Sequence, residues 1–454
     1  MSEPRQPLPD TVVQGRTGGT NLVRVGVQNR ALVLDLVRRR GPFARAELMR
    51  ATGLSAQTVS NIAAGLVGAG LVRETPGGGR RLEIVAGSRS AIGVHLDPAH
   101  LVVVRTDLTG AVLAVEHVDL DATDDPARTL DTMAAAVHRV RGDGSRARSR
   151  TGVPAPVGIG LAVPGSIDPD GVRMGTPAQL PAWWSLPVTD ELVARTGLPV
   201  RLEKDGVASA LGEVWSAAGA DDLVSVFLGH GISAATVAAG EVVRGATGNA
   251  GEFGGMPVEA HGRWTEVWEA CQPLQQVRRA IGAGLLPRGI PLDRASDVRH
   301  EFERLCATPS AAPLVAEAGA ALGSALAHVV ELLDVPRVVI GGSAALAGGD
   351  VFIAAVRERL AVRLPNGPFP TVAATAFGEA SVARGAACAV LQADLAVPAP
   401  RRPRRRRRYG ASTGRPGARP QHRPPLVSGT LQGVGSAVRV TSRDGDVAFA
   451  ARAS

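Results

Sequence analysis

The chain has 454 residues, 45% of them hydrophobic and only 3% aromatic, enough for a small module plus a large two-lobed domain with a core of Ala, Val, Leu and Ile. Cys271, Cys306 and Cys388 are far apart, which excludes a disulfide framework and a paired-cysteine metal site, and no stretch of about 18 uninterrupted apolar residues offers a membrane span. The net charge of +8 divides unevenly: residues 1–90 carry 13 Arg against 6 acidic residues, 91–394 carry 24 bases against 34 acids, and 395–454 carry 13 Arg against 2 acids. Basic ends on an acidic body place any phosphate-binding surface at the ends. No apolar run follows a basic start at the N-terminus, so a cytoplasmic protein with no membrane partner is expected.

Residues 1–20 are rich in Pro, Gly and polar residues and are expected to be disordered. From 28 to 40, Ala31, Leu32, Leu34, Leu36 and Val37 predict a helix that ends near Gly41-Pro42. RAELMRATGLSAQTVSN (45–61) predicts two helices, about 45–52 and 55–69. Ala46, Leu48 and Met49 form the apolar stripe of the first, Gly53 supplies the turn and Ser55 caps the second. Val59, Ile62 and Leu66 are then expected to face inward, leaving Gln57, Thr58, Ser60 and Asn61 outward. LVRETPGGGRRLEIV (71–85) predicts two short strands around a glycine loop. Three helices and a hairpin across 21–87 make a winged helix-turn-helix. Its second motif helix begins with short polar side chains, as the major groove of DNA accommodates.

From Ser90 strands alternate with helices. AIGVHL, LVVVRTDL and AVLAVEHV (about 91–118) predict consecutive strands, followed by a helix near 128–141 and a charged loop at 142–152. VGIGLAV (157–163) and PVRLEKD (199–205) predict buried strands, the second leading into a helix at 206–218. LVSVFL (223–228) and ATVAAG (235–240) predict a hairpin. Helices are expected near 265–283 and 310–334, then a strand ending in a glycine turn at 337–343, then helices near 350–362 and 380–392. From 395 the sequence is dominated by Arg, Pro and Gly, and disorder is expected.

Taken together, the winged helix and four ordered motifs resemble the ROK family of repressors, uncharacterised frames and sugar kinases, across roughly residues 28–392. The motifs are VGIGLAVPGSID (157–168), RLEKDGVASALGE (201–213), GNAGEFGG (248–255) and VVIGGS (338–343). The resemblance implies an α/β fold: an N-terminal winged helix-turn-helix followed, over 88–394, by a two-lobed actin-like/RNase H-like ATPase-type domain. In the kinases the first strand ends in Asp-x-Gly-Gly-Thr, whose backbone N–H groups and acid hold nucleotide phosphates and metal. Here that stretch is His95-Leu-Asp-Pro-Ala-His100, in which Pro98 lacks an N–H donor and Asp97 stands where phosphate should approach. The second loop, Gly-Thr-Gly-x-Gly-x-Gly in the kinases, is Gly229-His-Gly-Ile-Ser-Ala-Ala235. Asp205 matches the general base of the kinases, and its usual Asn neighbour is Lys204, a cation expected to depress the carboxylate's pKa if the two approach. Glu252 matches the motif glutamate, and the histidine that follows Gly254 in the family is Gly255. The family's zinc motif falls on HGRWTEVWEACQ (261–272), where one cysteine cannot supply a four-ligand site. His261 and Cys271 are therefore expected to be ordinary residues, and Glu269 stands where the family places a sugar-contacting glutamate.

These features lead to several expectations. Double-stranded operator DNA is a partner, with Gln57, Thr58, Ser60 and Asn61 at base edges, Ser55 at the DNA-binding helix start, Arg80 and Arg81 at phosphates or the minor groove and Arg45 at a phosphate. Arg38, Arg39 and Arg40 either track the DNA backbone or form a solvated helix end. The large domain keeps Asp205, Glu252 and Glu269 for a sugar or sugar-derivative effector, forms a homodimer or higher homo-oligomer, and uses no cofactor, no metal and no catalytic residue. An active ATP-dependent sugar kinase with an appended DNA-binding head is the alternative, and a ligand-blind DNA-binding scaffold a third reading.

Overall fold

The computed structural model describes residues 22–75, 80–121, 123–142, 154–175, 179–216, 222–364 and 369–396. The start expected to be disordered (1–20), the loop from residue 143 and the basic tail from residue 397 lie outside the described residues. Three helices open the fold: α1 (Leu22–Arg40), α2 (Arg45–Thr52) and α3 (Ala56–Gly68). α1 starts six residues ahead of the sequence expectation. Strands β1 (Val72–Thr75) and β2 (Arg81–Ile84) form an antiparallel wing. Val33, Leu34, Val37, Leu48, Val59, Ala63, Leu66 and Leu82 close one small core, with Leu36, Met49 and Ile62 packed against it, whereas Ala31, Leu32 and Ala46 of the stripes read from the sequence are exposed.

The large domain is built from two five-stranded sheets of the same plan. In the first, β3 (Ser90–Leu96), β4 (His100–Asp107) and β5 (Val112–Asp119) form an antiparallel meander. After α4 (Pro126–Arg141), β6 (Ile159–Val163) pairs parallel to β3; after α5 (Val188–Thr196), β7 (Val200–Lys204) pairs parallel to β6. The order is β5-β4-β3-β6-β7. The chain then enters α6 (Asp205–Ser216) and repeats the plan. β8 (Leu223–Leu228), β9 (Ile232–Ala238) and β10 (Glu241–Val242) form a second meander. A hairpin of β11 (Pro257–Ala260) and β12 (Arg263–Glu266) leads to helices α7 (Val267–Cys271), α8 (Pro273–Gly282), α9 (Ala295–Cys306) and α10 (Ala312–Leu333). β13 (Arg337–Gly341), α11 (Ser343–Arg363) and β14 (Thr371–Ala374) complete the order β10-β9-β8-β13-β14, and α12 (Ser381–Ala396) closes the domain. This duplicated meander with parallel extensions is the two-lobed actin-like fold.

α4 and α5 cover the outer face of the first sheet through Leu130, Met133, Val137, Val188 and Leu192. α10 and α11 cover the second through Leu322, Leu326, Phe352 and Val356. Residues Pro309–Leu333, which include α10, are apolar and long enough to cross a membrane, yet α10 is a core helix of the second lobe. α6 and α12 lie between the sheets, where Ala162, Ala208, Phe227, Val382 and Ala386 pack together. Gly385 permits this approach: a Cβ there would meet the Ala208 carbonyl oxygen at 1.6 Å.

The structure corrects the sequence reading in four places. The single helix expected at 265–283 is a strand end and two helices, because Pro273 lacks an N–H and holds Gln272 extended (φ −58°, ψ 133°). The helix expected at 350–362 begins at Ser343 and kinks at Gly349. α12 runs two residues into the segment expected to be disordered. α5, α9 and β14 were not expected from the sequence, although Val298, Phe302 and Leu305 of α9 are spaced as one face of a helix.

Candidate nucleic-acid interface and effector cleft

Gly53, in the left-handed conformation (φ 69°), ends α2, and its N–H donates to the Met49 carbonyl. Ser55 caps α3: its Oγ accepts from the Thr58 N–H at 3.2 Å and lies 2.9 Å from the Thr58 hydroxyl. The Ser55 hydroxyl is thus committed to the helix start. With Val59, Ala63 and Leu66 buried, Gln57, Ser60 and Asn61 stand exposed and Thr58 half-buried on the outer face. Gln57 Nε2 donates to Asn61 Oδ1 at 2.9 Å, so the two amides face the same way one turn apart. α3 contains no charged residue.

The arginines divide into scaffold and surface. Arg45 pairs with Glu74 on the wing. Arg81 donates to the Pro42 carbonyl at 2.9 Å and to Glu47 Oε2 at 2.7 Å, which ties the wing to α2. Glu47 also accepts from the Ala44 N–H, and this bond, with Arg81 beside it, lowers its pKa. Arg80 leaves 80% of its side chain in solvent and stands 3.7 Å from Glu74. Arg50, unmarked by the sequence analysis, is exposed in the last turn of α2.

Arg38 corrects the reading of the 38–40 run as a backbone tracker or solvated helix end. Its side chain is buried, pairs with Asp35, stacks on the Trp215 ring at 3.7 Å and donates to the Trp215 carbonyl. Arg39 also pairs with Asp35, at 2.9 Å. Trp215 Nε1 donates to the Leu108 carbonyl at 3.2 Å, and the Leu108 side chain packs into the core of the winged helix. Arg384 on α12 donates to the Gly110 and Gly212 carbonyls. The last turn of α6 is therefore bonded directly to the DNA-binding module. The sequence had no signal for this, since a partner 177 residues away is invisible to local periodicity.

In the cleft between the lobes the two loops that resemble phosphate cradles are bonded to each other. The turn after β3 closes on itself through Asp97 and His100 backbone bonds of 3.0 and 3.2 Å. The buried Asp97 carboxylate accepts from Ala99 N at 2.8 Å and, across the cleft, from His230 N at 3.2 Å; His100 Nδ1 lies 3.5 Å away. Burial pushes the Asp97 pKa up, but His100 beside it, with His95 and His230, outweighs that and holds the carboxyl below its usual range. His95 stands first in its loop, where the kinases' acid stands. Burial pushes it down to about 3 and keeps it neutral; it meets Phe227 edge-on at 5.1 Å, and Nε2 has no hydrogen-bond partner among the described residues. A cleft beside these loops, lined in part by Gly229, His230, Arg299, Phe302 and Ser343, holds about 260 Å³ including its open mouth. Arg299 straddles this cleft, bonded to Glu303 and Glu379 and 3.6 Å from Asp119 of the first lobe.

On the sugar side, Asp205 opens α6, and its Oδ1 accepts from Gly206 N at 2.6 Å and Ser233 Oγ at 2.8 Å. Burial raises its pKa to about 6, overriding those bonds and the nearby Lys204. Lys204 does pull the value down, as expected on its approach, but burial outweighs it. The ammonium of Lys204 is bonded instead to Glu252 Oε1 at 2.5 Å and to the Asn249 carbonyl at 3.2 Å. Asn249, inside the 248–255 motif, exchanges two bonds with Ile167 (2.8 and 2.9 Å) and so joins the second lobe to the Pro-Gly loop of the first. Gln179 reaches the His230 carbonyl at 3.5 Å. Asn249, Ser233 and Gln179 lie in this candidate site and were not singled out by the sequence reading, although the first two lie within motifs it quoted.

Glu269 is bonded to Thr265 and, at 2.5 Å, to Arg263, on the β11–β12 hairpin rather than to Asp205. Those bonds lower its pKa. The Cys271 thiol is buried and pushed up to about 12 by that burial, donating to the Ala318 carbonyl at 3.3 Å; His261 pairs with Glu317 at 3.4 Å. Among the described residues no cluster of three or more His, Cys, Asp or Glu could hold a metal ion.

A winged helix fused to a two-lobed domain of sugar-kinase type defines a class of DNA-binding transcriptional regulators. Comparison with known proteins bears this out. Residues 91–393 match the model of the ROK family and residues 28–81 that of the MarR family. The chain is 25% identical over 353 residues to a putative xylose repressor of Caldicellulosiruptor sp., covering 73% of this chain and 86% of that one. It is 30% identical over 217 residues to a glucokinase of Thermotoga maritima, covering 44% of this chain and 68% of that one. Among solved structures, a ROK family transcriptional regulator described as a homologue of the Escherichia coli MLC protein superposes with a TM-score of 0.61 at 22% identity, covering 82% of this chain and 98% of that one. The chain belongs to the ROK family.

Proposed function

We propose that this protein is a cytoplasmic repressor that binds operator DNA as a homodimer or higher homo-oligomer and responds to a sugar or sugar derivative without transferring phosphate. In this reading residues 21–87 read DNA and 88–394 sense the effector. The observation that carries the loss of phosphoryl transfer is the Asp97 carboxylate, which accepts the His230 N–H and so stands as a built-in anion between the two phosphate loops. A triphosphate would have to displace it against like-charge repulsion, without the N–H that Pro98 lacks. The relatives named as repressors support the same reading.

Operator recognition falls to Gln57, Asn61, Thr58 and Ser60, whose exposed amides and hydroxyls match base-edge chemistry. Arg80 and the exposed face of Arg45 and Arg81 serve phosphates, and Ser55 presents the helix N-terminus. The effector meets Asp205, Glu252 and, at the rim, Glu269. α6 supports the coupling: Asp205 is its first residue, and Trp215, near its last, carries Arg38 of α1. An effector that favours one setting of α6 shifts the two-state balance of the heads by its differential affinity. Incubation with ATP, Mg²⁺ and a panel of sugars tests the reading. No ADP above background is expected, while at least one sugar compound lowers operator affinity. ADP formation abolished by Asp205→Asn would establish a kinase instead.

A further inference from the structure

Of the 50 basic residues in the chain 49 are arginine, and the one lysine, Lys204, stands beside the candidate effector carboxylate Asp205. Its side chain is 3% exposed, whereas that of its partner Glu252 is 70% exposed. The cation is fixed in the wall and its counter-charge hangs in solvent. The acids on either side of Lys204 in sequence are taken: Glu203 pairs with Arg244 at 2.5 Å and lies 3.9 Å from Arg201, and Asp205 accepts from Gly206 N and Ser233 Oγ. Two of the three ammonium protons are accounted for, by Glu252 and by the Asn249 carbonyl, and one remains for a ligand.

We infer that the effector is a sugar acid, a polyhydroxylated molecule whose carboxylate takes the place of Glu252 on Lys204. This rests on the reading of the cleft as an effector site. A neutral sugar bound beside Asp205 either leaves the Lys204–Glu252 pair in place or breaks it and leaves a buried cation facing a hydroxyl. Losing a charge-assisted bond in that way is unfavourable. A carboxylate exchanges like for like: the ammonium keeps an anionic partner, and Glu252 swings into water it already largely occupies. The planar two-oxygen group to which Lys204 donates at 2.5 Å is itself a carboxylate, and the ligand reproduces it. The hydroxyls are left for Asp205 and the neighbouring backbone. Where the family carries a neutral asparagine this chain carries a charge, and the charge sets which ligands enter.

The full-length protein is titrated, by thermal shift and calorimetry, with D-glucose, D-glucuronate, D-gluconate, D-glucose 6-phosphate, D-xylose and D-xylonate. At least one acid is expected to bind about tenfold or more tightly than its neutral parent. Lys204→Asn is expected to erase that preference, and Glu252→Gln, which removes the competing carboxylate, to tighten acid binding severalfold while leaving neutral sugars unimproved. Neutral parents that bind the wild type as well as the acids would overturn the sugar-acid assignment while leaving an effector site in place. A 6-phosphate that outbinds every acid would overturn it in favour of a phosphorylated sugar. No response to any compound, with operator binding intact, would overturn both the assignment and the effector reading. Should Lys204→Asn fail to fold, the wild-type ranking and Glu252→Gln decide the matter.

Discussion

On α3, Gln57 and Asn61 stand in solvent bonded to one another, with Ser60 exposed beside them and no charge on the helix. In the cleft, the polar side chains are closed on neighbours: Asp97 on Ala99 and His230, Asp205 on Gly206 and Ser233, Lys204 on Glu252. The two regions are both rich in polar side chains, yet they differ in where those side chains find partners. A polar group left in water can exchange its water for a base edge at little cost, whereas a buried group already paired must first lose its partner. The head is therefore disposed toward a partner from outside, and the cleft toward a ligand able to replace an internal contact.

The largest effect expected is at the head. Replacing both Gln57 and Asn61 with alanine should weaken specific operator binding by about a hundredfold or more, at roughly 1–3 kcal/mol per lost base-edge contact, with little change in binding to random DNA. Fluorescence anisotropy at fixed salt measures both. Equal losses on specific and random DNA would show that the two amides read no sequence. Next comes the junction. Arg38→Ala strips the Trp215 ring and carbonyl of their partner and leaves Asp35 without one of its arginines. A loss of about 2–3 kcal/mol in unfolding free energy is expected. The variant should still bind operator at low temperature but no longer release it with effector. Full effector response in that variant would break the link from α6 to the head.

A smaller effect concerns the cleft. His95 has a folded-state pKa of about 3, below the ordinary 6.5. The neutral ring's contribution is complete above pH 6.5 and is lost as the pH falls toward 3, because only the unfolded chain takes up the proton. His95→Phe should therefore remove about 2 kcal/mol of the stability lost between pH 7 and pH 5. Denaturant titration at the two pH values tests this, and identical acid sensitivity in both proteins would place His95 in a solvated setting. The smallest effect is expected for the exposed wing: Arg80→Ala should weaken DNA binding severalfold and reduce the salt slope by about one.

The head was legible because its signals are local. Helical apolar spacing, a glycine turn and a serine cap lie within 17 consecutive residues, and each has its physical effect within one or two turns. Most strands of the sheets were legible for the same reason, since buried runs such as VGIGLAV announce themselves. The cleft was legible only as a set of departures from a resemblance. Lys204 beside Asp205 in sequence suggested a lowered carboxylate pKa, but burial of Asp205 decides its direction and Lys204 turns to Glu252, 48 residues on. The loop that follows β3 had lost its glycines in plain view. That its aspartate bonds the opposite loop, 133 residues away, is a property of the fold. Arg38 misled for the opposite reason: three successive arginines at a helix end look solvated until Trp215 is placed against the first.

The most direct measurement of the central claim is the affinity of the purified full-length protein for DNA from its own upstream region, set against random DNA of equal length at physiological salt. The account predicts a preference of about a thousandfold or more, unchanged by ATP and Mg²⁺. Equal affinity for the two DNAs, or a preference that appears only with ATP bound, would contradict it.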